Sequence, residues 1–210
     1  YQNIIPLCDS SQYAEFMESF NLNSGIINLD ERVNYASSVF KLVANYNMDI
    51  SSYFSKNNNP DRILFDLNKV DDLRYGENPH QSASFYLPGN TKHDWEQHHG
   101  KQLSYNNYYD IETAYSIVND FNDISCVIIK HSNPCGFSIG STLKESYLLA
   151  VTTDPVSYFG GIVAFNREVD FESAVEINKS FLECIVAPSF SDSAFKELKK
   201  KKNIRLITIS

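Results

Sequence analysis

A chain of 210 residues exceeds the roughly 150 of a typical domain, so one domain with part of another is the starting expectation. Its 42% hydrophobic and 13% aromatic content excludes a disordered chain, because burial on that scale offsets the entropy of ordering. With 26 acidic residues against 18 basic ones the surface is acidic, which repels polyanions at long range and argues against a nucleic-acid sheath while leaving room for a local anion pocket.

In chain order, "NIIPLC" reads as a strand and "SSQYAEFMESF" as a helix. A long helix is expected from Asn28 to about Phe54, opened by an Asn28/Glu31 capping box and carrying Val33, Ala36, Val39, Phe40, Val43 and Ala44 near one face. The polar run "SKNNNPDR", closed by Pro60, is the expected domain boundary. Beyond it come a strand at "SASFY", a polar loop at "PGNTKHDWEQHHGKQ", a helix at "DIETAYSIVNDF" and a strand at "CVIIK". A helix at "TLKESYLLAV", with Thr142/Glu145 spaced as a capping box, is followed by a strand at "GIVAF", a helix at "FESAVEIN" and a strand at "ECIVAP". Lys199 to Lys202 read as a solvated helix end, before a last strand at "IRLITI". This alternation predicts a layered α/β protein.

The cysteines Cys8, Cys126, Cys135 and Cys184 lie far apart with no C-x-x-C pair, so neither a zinc ribbon nor a dithiol motif is readable, and reduced cytoplasmic thiols are the simpler reading. No apolar run approaches the roughly 18 residues of a membrane span, and the first residues lack signal-peptide order, so no membrane partner is expected. The chain opens without Met inside a strand-like run, which leads to the expectation of a fragment.

Chemistry concentrates in a few stretches. "CVIIKHSNPCG" runs from an apolar strand into Lys130 and His131 and then is expected to turn on Pro134 and Gly136. Binding groups in α/β sheets gather beyond the carboxyl ends of strands. A lysine ammonium beside an imidazole disfavours a second positive charge, leaving His131 ready to accept a proton while Lys130 steadies developing negative charge. The competing reading is a solvent-facing pair at a strand end. In "LRYGENPHQ", Arg74 offers a fork for phosphate or carboxylate, Tyr75 a stacking face and His80 a donor, against a plain turn with Arg74 paired to Glu77. Asn106 and Asn107 in "SYNNYYD" precede a helix that Asp110 would cap; they either meet a ligand or satisfy loop backbone. Gly160 and Gly161 let backbone approach a ligand, or simply turn the chain. "HSNPCG" lacks the second cysteine of P-C-x-x-C, since Ser138 stands there, and H-x-E is absent, so no zinc site of the deaminase type is expected and a zinc hydrolase is the remotest alternative.

In their order, "LRYGENPHQ", "LSYNN", "KHSNPCG", "TDP…FGGIVAFNRE" and "IVAPSFS" resemble the bifunctional purine-synthesis enzymes that join aminoimidazole carboxamide ribonucleotide (AICAR) transformylase to inosine monophosphate (IMP) cyclohydrolase. The resemblance implies that residues 1–58 are the end of the cyclohydrolase domain and residues 59–210 the first half of the transformylase domain, with a cytidine-deaminase-like fold and no catalytic metal. It implies formyl transfer from 10-formyltetrahydrofolate to the 5-amino group of AICAR, with His131 as proton acceptor and Lys130 as transition-state stabiliser. By the same resemblance Arg74 and Tyr75 match the ribonucleotide-binding pair with His80 in the same motif, Gly160 matches a glycine whose backbone meets that ligand, Asn106 and Asn107 match the loop near its imidazole and carboxamide, and Glu183 stands where some members have an Asp that contacts the nucleotide. A cytoplasmic homodimer completes the expectation. This stretch alone is expected to be inactive, and a non-catalytic nucleotide-binding module is the alternative.

Overall fold

The computed structural model describes residues 1–55, 63–89, 91 and 94–209. The chain forms two compact units, Tyr1–Asp66 and Leu67–Ser210. The boundary expected at residue 58, with Pro60, lies outside the described residues.

The first unit holds α1 (Gln12–Leu22) and α2 (Leu29–Phe54). The Asn28/Glu31 capping box is present: Glu31 N–H donates to Asn28 Oδ1 at 2.9 Å, and Asn28 N–H to Glu31 Oε2 at 3.3 Å. Phe16 of α1 meets Tyr35 of α2 edge-on at 6.0 Å, and Tyr35 is the buried residue of α2. The expected apolar face is largely uncovered, since Val33, Phe40 and Val43 are exposed. Length explains this, because at 1.5 Å per residue α2 runs about 39 Å and the 11-residue α1 about 16 Å, so α1 covers only part of its neighbour. "NIIPLC" is not a strand; Arg32 Nε instead donates to the Tyr1 carbonyl at 2.9 Å and holds the opening residues as irregular chain.

The second unit contains β1 (Leu67–Leu73), β2 (Ala83–Pro88), β3 (Trp95–His99), α3 (Tyr105–Asn119), β4 (Ser125–Lys130), β5 (Asn133–Ile139), α4 (Leu143–Thr153), β6 (Ile162–Phe165), α5 (Phe171–Ile177), β7 (Cys184–Ala187), α6 (Asp192–Leu198) and β8 (Arg205–Ile209). β1 and β2 form an antiparallel pair; the other strands form a six-stranded mixed sheet in the order β3-β8-β7-β6-β4-β5. β6, β7 and β8 run parallel, and the remaining neighbours are antiparallel. The α/β expectation therefore holds.

The central strands read as unbroken apolar runs because both their faces are covered. Ile128, Phe165, Ile185 and Leu206 point into one core with Tyr147, Ala174 and Leu198 of α4, α5 and α6. Their neighbours Val127, Ile129, Ala164, Val186 and Ile207 point into the other, against Ile111, Ala114 and Val118 of α3. Full burial of each large aliphatic side chain contributes on the order of 1.5–3 kcal/mol, so this double core is the main stabilising element.

Other expectations differ from the structure as well. The loop predicted over 88–102 contains β3, which pairs with β8 as an edge strand. "NPCG" is strand β5 rather than a turn, and Pro134 is tolerated because β5 lies at the sheet edge. Gly136 is required there, since a Cβ would stand 2.2 Å from the Ala150 carbonyl of α4. The Thr142/Glu145 box is only half formed: Glu145 N–H donates to Thr142 Oγ1 at 3.1 Å, but the Glu145 carboxylate accepts from Ser141 instead. In the 199–202 run, Lys200 pairs with Glu197 as a solvated helix end would, whereas Lys201 Nζ turns inward to the Ser180 carbonyl.

Candidate functional site

One rung of the sheet positions the candidate residues. Ile129 of β4 pairs with Ile162 of β6, Ile162 with Cys184 of β7, and Cys184 with Arg205 of β8. Because β4 runs against the parallel strands, this edge is the carboxyl end of β4 but the amino end of β6, β7 and β8. Lys130 thus closes β4 and His131 follows just beyond its carboxyl end, whereas Gly160 and Glu183 approach the same edge from the opposite chain direction.

β4 and β5 are joined by a hairpin in which Lys130 pairs with Asn133, so His131 and Ser132 are the whole turn. Their φ values are +53° and +59°. A two-residue hairpin of this hand normally uses Asn-Gly, because a side chain in the left-handed region costs roughly 1–2 kcal/mol. The turn is held on both sides. Asn133 Nδ2 donates to the His131 carbonyl at 2.8 Å, and Asp110 Oδ1 on α3 accepts from Ser132 N–H at 2.7 Å and Ser132 Oγ at 3.2 Å. The His131 imidazole makes no hydrogen bond among the described residues and is exposed.

That turn borders a polar cavity of about 530 Å³. Its walls are His131 and Ser132, then Tyr105, Asn106, Tyr109 and Asp110 of α3, and Glu77 and Asn78 of the loop after β1. Of the nine residues singled out by sequence, His131 and Asn106 line it; Lys130, Arg74, Tyr75, His80, Asn107, Gly160 and Glu183 fall outside its lining. Lys130 Nζ donates to the Phe159 carbonyl at 2.9 Å, beside Gly160. Gly160 has φ +75° and its N–H donates to the Phe181 carbonyl at 2.8 Å, a conformation that favours glycine.

The 74–81 loop is tied to the start of α3. Tyr105 N–H donates to the Tyr75 carbonyl at 3.1 Å, and Asn106 Nδ2 to the Glu77 carbonyl at 3.1 Å. Asn106 therefore satisfies loop backbone while also facing the cavity. Arg74 lies over the Tyr75 ring at 5.3 Å instead of pairing with Glu77, and His80 is exposed.

Asn107 belongs to a second, more buried cluster. Its Oδ1 accepts from Ser104 N–H at 3.1 Å and Ser104 Oγ at 3.0 Å, while its Nδ2 donates to Glu183 Oε2 at 3.1 Å. Arg205, 4% exposed, faces the same Glu183 oxygen at 3.5 Å and donates to the Lys101 and Gln102 carbonyls at 3.0 and 3.2 Å. Burial pushes the adjacent Cys184 thiol up to about 12, against a smaller opposing pull from Arg205.

Asp110 does not cap α3: Ser104, in extended conformation, precedes the helix, so Asp110 falls in its second turn. Reading Ser104 as the helix start would have placed Asn106, Tyr109 and Asp110 at i, i+3 and i+4 on one face. Arg205 and Ser132 carried no such signal. No group of three or more His, Cys, Asp or Glu side chains suited to a metal occurs among the described residues. Cys135 Sγ donates to the Ile128 carbonyl at 3.5 Å and Ser138 Oγ to the Ser146 carbonyl.

The second unit is thus a mixed α/β sheet with a hairpin-mounted histidine beside a polar cavity, and comparison with known proteins gives its family. The chain matches the AICARFT/IMPCHase bienzyme family over residues 1–210 and belongs to that family. It is 44% identical over 213 residues to the bifunctional purine biosynthesis protein PurH of Leptospira biflexa serovar Patoc, covering 100% of this chain. PurH of Clostridium kluyveri is 40% identical over 213 residues, and PurH of Clostridium botulinum 40% over 210 residues. The chain spans 42% of the length of these relatives.

Proposed function

We propose that the protein to which this chain belongs works in purine biosynthesis, moving a formyl group from 10-formyltetrahydrofolate to the 5-amino group of AICAR and, through its cyclohydrolase part, closing the product to IMP. The observation that carries this reading is the hairpin turn that sets His131 at the wall of a polar cavity also lined by Asn106. Family membership over residues 1–210 supports it.

In this reading the AICAR amine attacks the formyl carbon, and His131 takes the proton that the amine loses as the new carbon–nitrogen bond forms. The amine is conjugated with its carboxamide and is a weak nucleophile, so proton removal is what makes the attack productive. Collapse of the tetrahedral intermediate breaks the bond to folate nitrogen, which leaves with a proton. Lys130 stabilises the developing negative charge. Arg74, Tyr75, His80, Asn106, Asn107, Gly160 and Glu183 hold the ribonucleotide; for Glu183, the bonds from Asn107 and Arg205 fix one carboxylate oxygen while the side chain remains 43% exposed.

Residues 1–58 belong, in the same reading, to the cyclohydrolase domain and residues 59–210 to a cytidine-deaminase-like half of the transformylase domain. Support comes from the separate compact unit Tyr1–Asp66 and from a mixed sheet covered by helices on both faces. The whole protein acts as a cytoplasmic homodimer. Supplying AICAR and 10-formyltetrahydrofolate to the full-length protein tests the proposal: formylated AICAR is expected, and its absence from a folded, nucleotide-binding preparation would overturn it. This chain alone is expected to bind ribonucleotide without turnover.

A further inference from the structure

The turn that carries His131 is built from residues that resist its shape. His131 and Ser132 both have positive φ, where hairpins of this kind ordinarily place Asn and Gly. Such a conformation persists only where the surroundings over-determine it. Of the contacts that hold it, the Asn133 bond to the His131 carbonyl is internal to the hairpin and cannot set its direction against the rest of the domain. The two bonds from Ser132 to Asp110 come from another element, α3, and the same helix supplies Asn106 and Tyr109 to the cavity wall.

We propose that Asp110 is a positioning residue for His131: its carboxylate clamps the Ser132 half of the turn to α3 and so fixes the imidazole against the cavity wall that α3 provides. The inference rests on the reading of His131 as proton acceptor. The clamp acts through an acceptor oxygen at a fixed place, and its negative charge is incidental to that task. The Ser132 N–H meets Asp110 Oδ1 at 2.7 Å, the short end of the normal hydrogen-bond range, so the turn has little freedom while that bond is intact.

The test uses the full-length protein and two variants. Asp110→Ala removes the acceptor; formyl-transfer kcat should fall on the order of 100-fold, as for a catalytic group displaced by about 1 Å, with KM for the ribonucleotide nearly unchanged. Hydrogen exchange across residues 131–133 should quicken. Asp110→Asn keeps an acceptor oxygen in place and should retain turnover within a few-fold, with exchange still slow. Loss of turnover in Asp110→Asn as deep as in Asp110→Ala, with exchange still slow, would show the carboxylate acting by charge and overturn the proposal. Unchanged turnover and exchange in Asp110→Ala would overturn it equally. Should Asp110→Ala fail to fold, Asp110→Asn carries the decision alone. Wild-type turnover in His131→Ala would remove the underlying reading instead, and the exchange comparison would then judge the clamp without reference to catalysis.

Discussion

Asn107 and Glu183 stand 76 positions apart and meet through a single hydrogen bond, Nδ2 to Oε2 at 3.1 Å. That bond ties the first turn of α3 to the amino end of β7, and the other end of the same amide accepts from Ser104 N–H and Oγ. The start of α3 is therefore fixed by one side chain that serves the helix and the sheet together. Replacing Asn107 by Ala removes these bonds at a buried position and should lower unfolding free energy by about 2–3 kcal/mol, read from the urea midpoint. An unchanged midpoint would mean that the amide is not holding the two elements together.

Alkaline pH should loosen the second unit. Burial raises the Cys184 thiol to about 12 and the Tyr147 hydroxyl to about 12, and pushes the Cys126 thiol well up as well. In the unfolded chain these groups ionise near their ordinary values of 9.0 for thiol and 10.0 for phenol. The folded state thus disfavours their anions: its stability is fully present below pH 9 and is lost as pH rises towards 12. Urea midpoints measured from about pH 8 to about pH 11 should decline steadily across that window. A flat profile would show that these groups ionise as readily in the fold as out of it.

Lys130 separates charge from packing. Its ammonium reaches the Phe159 carbonyl at 2.9 Å, and its proposed task is to steady negative charge in the transition state. In the full-length protein Lys130→Arg should keep part of the turnover and Lys130→Ala almost none, the loss falling in kcat and not in ribonucleotide affinity. Equal turnover in the two variants would contradict the role.

Much of the sheet was legible because burial on both faces leaves long apolar runs in the sequence: β4, β6, β7 and β8 all stand where such runs occur. The edge strands were hidden for opposite reasons. β3 reads "WEQHH", a half-exposed alternation inside a polar stretch, and β5 begins with Asn-Pro after a turn that lacks glycine. That missing glycine concealed the hairpin and, with it, the part played by Asp110, which lies 22 residues from Ser132 and shares no local pattern with it. Arg205 was equally silent: a guanidinium opening an apolar strand finds its carboxylate 22 residues upstream, through sheet pairing alone. The exposed face of α2 follows from the same limit, since periodicity predicts a face but not whether a neighbour is long enough to cover it.

Formyl transfer by the full-length His131→Ala variant, with ribonucleotide affinity measured alongside by calorimetry, decides whether this imidazole is the proton acceptor. Turnover should fall by about 100-fold or more, the range that a positioned proton acceptor contributes, while affinity stays close to that of the parent protein. Turnover equal to the parent's would show that the imidazole at the hairpin tip is not the group that takes the amine proton.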